Sequence, residues 1–348
     1  MFRRRRDKFI LITIVISGLL ILMLSLLERH LTSGLYAQQM AKRWEQGHIS
    51  YAQVSAFFAE SRQVQEEGIN GMRNAISLKL NEDGYHISEN NGRTWIDAYS
   101  GESQLVLRKD ENYVDVLALG VGGEFFQFHP IPLLSGNYLS AEELNADRIM
   151  IDNHLAWELF GSYDVVGMSV WIGERLYVVA GVTALPEDSL SKLAYGNSYR
   201  IYMNYAELKL LNSNTKITCY EAVLPNPITN YGVNVLKQAC GIDVDSVVQD
   251  KKSQLLQFGD CEVKENSSRY KASSLLNQLS SMPYRSMRTN AIVYPYWENE
   301  AVVIEERLAY ILFIKIALAI VVFILSLYLV VSCRRGNKIW KRKLEKDI

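Results

Sequence analysis

Two stretches of this chain are poorly suited to water, and they constrain everything between them. Phe9 to Leu27 is 19 residues without a charge, about 28 Å long as a helix rising roughly 1.5 Å per residue, enough to span the hydrocarbon core of a bilayer. Leu308 to Val331 is a second apolar run, interrupted only by Lys315. Arg3, Arg4, Arg5, Arg6 and Lys8 precede the first run against one acid, Asp7. Arg334, Arg335, Lys338, Lys341, Arg342, Lys343 and Lys346 follow the second against Glu345 and Asp347. Basic residues gather on the cytoplasmic side of membrane helices, so both ends are expected inside the cell and residues 28–307 outside it. The predicted layout is a basic N-terminus (1–8), a first membrane helix (9–27), an outer domain (28–307), a second membrane helix (308–331) and a basic tail (332–348). A cleaved signal peptide ending near Leu35-Tyr36-Ala37 competes with the first helix, but its apolar core would be long and Glu28-Arg29-His30 approach the site badly.

Without these flanks and Lys315, the chain carries 24 basic and 35 acidic residues. A region with that acidic excess is a poor partner for nucleic acid or an anionic surface. With 49% hydrophobic residues the chain is foldable, not disordered. Lys315 would cost about 2.5–3.5 kcal/mol at a bilayer centre. It lies near the outer boundary, where it can snorkel to the headgroups or contact an acidic or polar group on a partner helix; Phe9 to Leu27 itself offers no acid. Cys219, Cys240 and Cys261 lie between the membrane runs, can form at most one bridge, match no zinc spacing and read as free buried thiols. Cys333 stands at the membrane edge without an assigned role.

Along the chain, Leu31 to Trp44 keeps helical character. Val54, Phe57, Phe58, Ser61 and Val64, then Ile69, Met72, Ile76 and Leu80, recur at helical spacing and predict two amphipathic helices, the second ending at Asn81-Glu82-Asp83-Gly84. Asn90-Asn91-Gly92 reads as a turn, and Trp95–Tyr99 and Gln104–Leu107 as strands around Ser100-Gly101. Residues 119–183 are the most legible part. Gly120, Gly122 and Gly123 suggest a positive-φ turn, Glu124–Leu134 an apolar run ending at Ser135-Gly136, and Ser140 with Glu143 a capping box. Arg148–Ile151 predicts a buried strand, with Asp152 as N-cap of a helix whose Leu155, Ala156, Leu159 and Phe160 share a face and which Gly161 closes. Val166–Ile172 and Arg175–Val182 predict a hairpin through Gly173-Glu174. Pro186–Ser198 reads as irregular, Tyr199–Asn204 as a strand running into a helical turn, Lys216–Leu224 as a strand and Ile228–Ala239 as a helix closed by Gly241. Glu262–Glu265 is expected as a strand, Ala272–Leu279 as a helix and Ala291–Tyr294 as a last strand. Nothing breaks a helix between Pro295 and Ser332, so the second membrane helix is expected to rise from the bilayer into the domain as a stalk.

The succession LLSGNYLS, DRIMIDNHLAWELFG and VGMSVWIGERLYVVAGV resembles the extracytoplasmic core domain of MacB-type ABC transporter permeases over about 65 residues, through structural turns and not catalytic groups. The resemblance implies an α+β extracytoplasmic domain of two subdomains between two transmembrane α-helices, with an inserted subdomain around residues 147–210. It implies a non-catalytic membrane subunit of an exporter in a bacterial plasma membrane, coupling helix movement to the outer domain. A separate cytoplasmic ABC ATPase would drive it. Such permeases have three membrane helices after the outer domain where this chain has one, so a second permease chain or a homo-oligomer is expected to supply the rest, unless the chain is an accessory protein. The alternative is a two-pass receptor or scaffold binding an extracytoplasmic ligand.

The chemistry in the chain agrees with a non-catalytic role. No G-x-x-x-x-G-K-S/T occurs, and the glycines at 120–123 lack the third glycine and following helix of a dinucleotide site. Ser189-Leu190-Ser191-Lys192 fits S-x-x-K without its partner motifs. No G-x-S-x-G or H-E-x-x-H appears, and His30, His48, His86, His129 and His154 stand singly; His129 in FFQFHP reads as packed or hydrogen-bonded. No cofactor or metal is expected. Phe125, Phe126, Phe128, Trp157, Phe160 and Trp171 read as core, with an exposed subset as an alternative docking surface.

Overall fold

The computed structural model describes residues 2–44, 49–85, 93–140, 147–186, 189–242, 260–281 and 292–344. The chain divides into two compact units, one of Leu35–Arg269 with Ser280–Val302, the other of Met1–Gly34, Tyr270–Leu279 and Val303–Ile348. The second unit is helical. It holds α1 (Phe2–Ser33) and most of the last helix, α10 (Tyr296–Leu344). Both contain a segment long and apolar enough to cross a membrane, Arg5–Ser33 and Tyr296–Ser332.

The first unit is built on one mixed sheet. Its strands are β1 (Tyr51–Phe58), β2 (Ile96–Lys109), β3 (Asn112–Gly123), β4 (Leu133–Gly136), β5 (Arg148–Asp152), β6 (Ser169–Ile172), β7 (Arg175–Thr183), β8 (Tyr199–Asn204), β9 (Cys219–Pro225) and β10 (Cys261–Glu265). Their order is β10-β1-β9-β2-β3-β8-β5-β7-β4, with β6 pairing both β7 and β2. That double pairing closes a ring, β2-β3-β8-β5-β7-β6, because Leu107 and Arg108 near the end of β2 meet Ile172 and Trp171. Inward positions of all six strands (among them Leu107, Val116, Ile149, Val170, Val179 and Ile201) form one buried cluster. Closure leaves no free edge around that circuit. The helix α5 (Asn153–Phe160) adds Leu155, Ala156 and Leu159 to the same cluster.

Of the other four strands, β4 pairs with β7, and β10, β1 and β9 extend the sheet from β2 and are covered on both faces. On one side α3 (Glu66–Glu82) and α8 (Tyr231–Ala239) pack Ile69, Met72, Ile76, Val235 and Leu236 against Ala52, Val54, Ala56, Tyr220 and Leu224. Arg73 of α3 is tied to β2 by two bonds to the Asp97 carboxylate, 2.6 and 3.1 Å. On the other side α2 (Met40–Trp44), α4 (Phe125–Phe128) and Trp297 cover Phe57, Ile96, Leu119, Cys219 and Val223.

Several expectations hold: β5 and its Asp152 cap, α5 with Gly161 at φ 64°, the β6–β7 hairpin, α3, β8, β10, the helix α9 (Ala272–Ser281) and the unbroken α10. Others do not. Residues 51–58 form a strand, not a helix; β1 is buried on both faces, so its apolar residues fit a helical period by coincidence, while its backbone bonds go to β9 and β10. Leu31 to Trp44 is helical only to Ser33 and then in short pieces. Ser100-Gly101 is no turn: β2 runs straight through it, and the hairpin to β3 turns at Asp110, whose φ is 55°. Of Gly120, Gly122 and Gly123 only Gly123 has positive φ; Gly120 is mid-strand, where a Cβ would stand 2.7 Å from Leu208 Cδ2. Ser189–Tyr195, expected irregular, is the helix α6, and 292–295 form no strand. The turn at Asn90-Asn91-Gly92 and the helix start at Ser140–Glu143 involve residues outside those described.

Gly101 lies so close to a neighbouring segment that a Cβ would come 2.2 Å from the Lys216 carbonyl oxygen, whereas one at Gly71 in α3 meets nothing within 4 Å. Gly101→Ala is therefore expected to destabilise by about 1–3 kcal/mol. Gly71→Ala should stabilise by about 0.5–1 kcal/mol. Urea unfolding of the detergent-solubilised chain checks both signs.

Candidate functional site

Strand alternation places an unusual set of polar groups on the face of β9, β1 and β10 that looks away from α3 and α8. Ser55 of β1 stands opposite Glu221 of β9 and Lys264 of β10. Gln53, Ser55 and Glu221 are at most 2% exposed. Burying such groups is costly unless each finds a partner. Glu221 Oε1 accepts from Ser55 Oγ at 2.9 Å and from Gln53 Nε2 at 3.3 Å, and its Oε2 shares a 2.5 Å bond with His129 Nε2. Asn266 Nδ2 donates to Ser55 Oγ at 2.8 Å. Gln53 also reaches the segment that follows α1: its amide donates to the Ala37 carbonyl at 2.6 Å and its oxygen accepts from the Met40 N–H at 2.8 Å.

Against this face sits the first turn of α10. Trp297 lies over the His129 ring at 4.2 Å between centroids and meets Phe125 edge-on at 5.6 Å, while its carbonyl accepts from Gln38 Nε2 at 3.2 Å. Glu298, 1% exposed, takes both Arg269 guanidinium nitrogens at 2.7 and 2.9 Å and Lys264 Nζ at 2.8 Å. On the next side of the turn Tyr296 packs edge-on against Tyr195 and lies under the Arg200 guanidinium at 4.7 Å. Glu300 accepts from Ser191 Oγ at 2.6 Å. Four of five consecutive positions are thus held, in directions that go most of the way round a helix with 3.6 residues per turn.

Arg200 is itself fixed from β5. Asp152 Oδ1 caps α5 by accepting from Leu155 N at 2.8 Å, and its Oδ2 accepts from the Arg200 backbone N–H at 2.5 Å. Burial pushes the Asp152 carboxyl above the usual range, with the two backbone bonds opposing. The Arg200 side chain donates to the Tyr195 carbonyl at 2.7 Å and to Glu102 at 3.3 Å. Burial also raises the Glu102 carboxyl, with Arg200 pulling the other way.

What this arrangement can do is mechanical. Ser55, Glu221 and His129 have the residue types of a hydrolytic triad, but the hydroxyl bonds to the carboxylate and not to the imidazole. All three are at most 3% exposed, so none of the three is presented to a substrate. The site is a socket that grips the base of α10 and the segment following α1.

Of the residues singled out from sequence, His129 lies in this socket, packed and hydrogen-bonded as expected. Phe125 and Phe128 are core, whereas Trp157 is 58% and Trp171 38% exposed. Lys315 lies in the helical unit, its Nζ 2.7 Å from Glu28 Oε2. The first apolar run holds no acid, but α1 continues to Ser33 and brings Glu28 alongside. Cys219 and Cys240 are buried and Cys261 partly so, all three as free thiols. The sequence reading missed Gln53, Glu221, Arg269 and Glu298. A usable signal existed for Glu221: one acid inside the apolar run Cys219–Leu224 has to be buried with a partner.

The protein has a mixed α/β domain flanked in sequence by two helices long and apolar enough to cross a membrane. The profile of the MacB-like periplasmic core domain matches residues 10–233, and the chain belongs to that family, a domain of ABC transporter permease-type proteins. No curated protein sequence matches at a significant level. Among solved structures the chain is similar to the periplasmic region of MacB from Actinobacillus actinomycetemcomitans, with 12% identity over 66% of this chain and 92% of that one and a TM-score of 0.41. It is also similar to the extracellular domain of the noncanonic ABC-type transporter YknZ from Gram-positive bacteria, with 15% identity over 55% of this chain and 96% of that one and a TM-score of 0.37.

Removing one partner of a buried ion pair leaves the other charge uncompensated. Glu298→Ala, which removes the buried carboxylate that Arg269 and Lys264 share, is expected to cost about 3–5 kcal/mol. Lys264→Met should cost less, because Arg269 still holds the carboxylate and the Lys264 side chain is 21% exposed. Urea unfolding of the two variants side by side tests the ranking.

Proposed function

We propose that this chain is a non-catalytic membrane subunit of a MacB-type ABC transporter, an exporter in a bacterial plasma membrane, with both termini in the cytoplasm and the sheet domain outside. The observation that carries the reading is the socket. The first turn of the helix Tyr296–Leu344 is held by the sheet domain at Tyr296, Trp297, Glu298 and Glu300, contacts suited to passing a displacement of that turn to the sheet. The chain contains no P-loop signature. ATP hydrolysis comes from a separate cytoplasmic ATPase, and a second permease chain or further copies of this one complete the membrane part. Family membership and the basic flanks of both spans support this assignment. On this reading the inserted subdomain is the stretch around residues 147–210, a span that contains β5, β6, β7 and β8.

Lys315 and Glu28 belong to the same reading. An ion pair between two helices in hydrocarbon is favoured over either charge alone, and it fixes the register of α1 against α10. Glu28→Leu should therefore lower the yield of folded protein in membranes, and Glu28→Leu with Lys315→Leu should recover it. Recovery by the double variant no better than by the single one would exclude a pairwise role.

The decisive test is purification of the tagged full-length chain from its native membrane in mild detergent, with mass spectrometry of what accompanies it. The expected result is a stoichiometric P-loop ATPase, with or without a second permease. Recovery of no ATPase, in conditions where a known ABC complex survives, would overturn the transporter assignment and favour a receptor or scaffold.

A further inference from the structure

Cys240, at the C-terminal end of α8, and Cys261, the first residue of β10, are 21 positions apart in sequence but meet in the core. Cys240 belongs to the buried cluster between α3, α8 and the sheet, where its thiol donates to Met72 Sδ at 3.7 Å, and Cys261 packs against the same cluster. The backbone around them is held independently: the Arg62 guanidinium donates to the Cys240 carbonyl and, at 2.9 Å, to the carboxylate of Asp260 beside Cys261. Pairing of Cys261 with Phe58 fixes the strand position, and the Ala59 N–H bond to the Asp260 carbonyl at 2.8 Å extends it. Cys219 is not a competitor. It lies on the opposite face of the sheet, among the residues that contact the α10 base. Two of the three cysteines therefore lie on one face of the sheet, at one cluster, and the third lies on the other face.

We propose that Cys240 and Cys261 are joined by a disulfide in the mature protein, formed in the oxidising compartment outside the membrane. The proposal rests on the reading of the domain as extracytoplasmic; disulfides persist there and not in the cytoplasm. The oxidant is a protein disulfide of the C-x-x-C oxidoreductase class. Cys261, the more exposed of the two, attacks that disulfide as a thiolate after losing its proton, forms a mixed disulfide and releases one thiolate of the oxidant. Cys240 then loses its proton and attacks the Cys261 sulfur, expelling the second thiolate. Two protons and two electrons leave the chain, and the oxidant is reduced to a dithiol.

The test blocks free thiols with N-ethylmaleimide in intact cells, then purifies the full-length chain and maps its peptides by mass spectrometry. The expected result is a Cys240–Cys261 linked peptide about 2 Da lighter than the two thiol peptides together, with Cys219 alkylated only after denaturation. Reduction should lower the melting temperature by about 5–10 °C, and Cys240→Ser should leave Cys261 open to alkylation. Both cysteines alkylated in cells would overturn the proposal, and a second arm gives the reason. If oxidised glutathione then links them in the purified protein, the pairing geometry is right and the extracytoplasmic placement is wrong; if it does not, the geometry itself fails.

Discussion

The carboxylate of Glu298, held between Arg269 and Lys264 at 1% exposure, is the interaction on which the arrangement of this protein depends. Taking an ion pair out of water costs several kcal/mol per charge, and apolar residues of similar volume are often as stable or more so. Stability alone therefore does not account for it. A bidentate guanidinium–carboxylate contact is directional in a way that an apolar contact is not. Trp297 and Tyr296 could be buried at several rotations of the helix, but Glu298 can meet both nitrogens of Arg269 at only one.

The same logic extends through the sheet. Glu221 of β9 is bonded to β1 through Ser55 and Gln53 and to the segment after α4 through His129. Because β2 and β3 belong both to the closed ring and to the open half of the sheet, the two cores share their longest strands and move as one lattice. Arg200 then ties the ring to the α10 base through Tyr195 and Tyr296. A helix turn contacted by β10, by the segment at His129 and by the ring has no side left on which to pivot.

Local signals were legible in the sequence where a residue type does one job. Asp152 as a cap, Gly161 as a left-handed terminus and Gly173 in a tight turn each have a single physical reading. The misreadings come where two pressures coincide. In β1 both faces are buried, so alternation vanishes and Val54, Phe57 and Phe58 satisfy a helix as well as a strand. Gly101 and Gly120 are small because another segment passes close by, and that segment lies far away in sequence; from the residues alone they look like turns. The socket was invisible for the same reason. Gln53, Glu221, Arg269 and Glu298 are ordinary polar residues until β1, β9 and β10 are placed side by side, and only the register brings Ser55 opposite both Glu221 and Lys264. His129 could be read as packed but not located, because its partner lies 92 residues away.

On the transporter reading, an anchor of this kind has a mechanical requirement that sequence resemblance does not explain. A helix driven from its cytoplasmic end can slide, tilt or turn about its axis, and an apolar seat resists the first two far better than the third. The groups at 296, 297, 298 and 300 point in different directions and differ in chemistry: aromatic on the ring side, aromatic over His129, ionic towards β10 and hydrogen-bonded to Ser191. Rotation of that first turn by one residue position, about 100° on a 3.6-residue helix, would set Glu298 against aromatic rings and take it away from Arg269 and Lys264. That mismatch opposes rotation of the turn in its seat more strongly than loss of packing alone would.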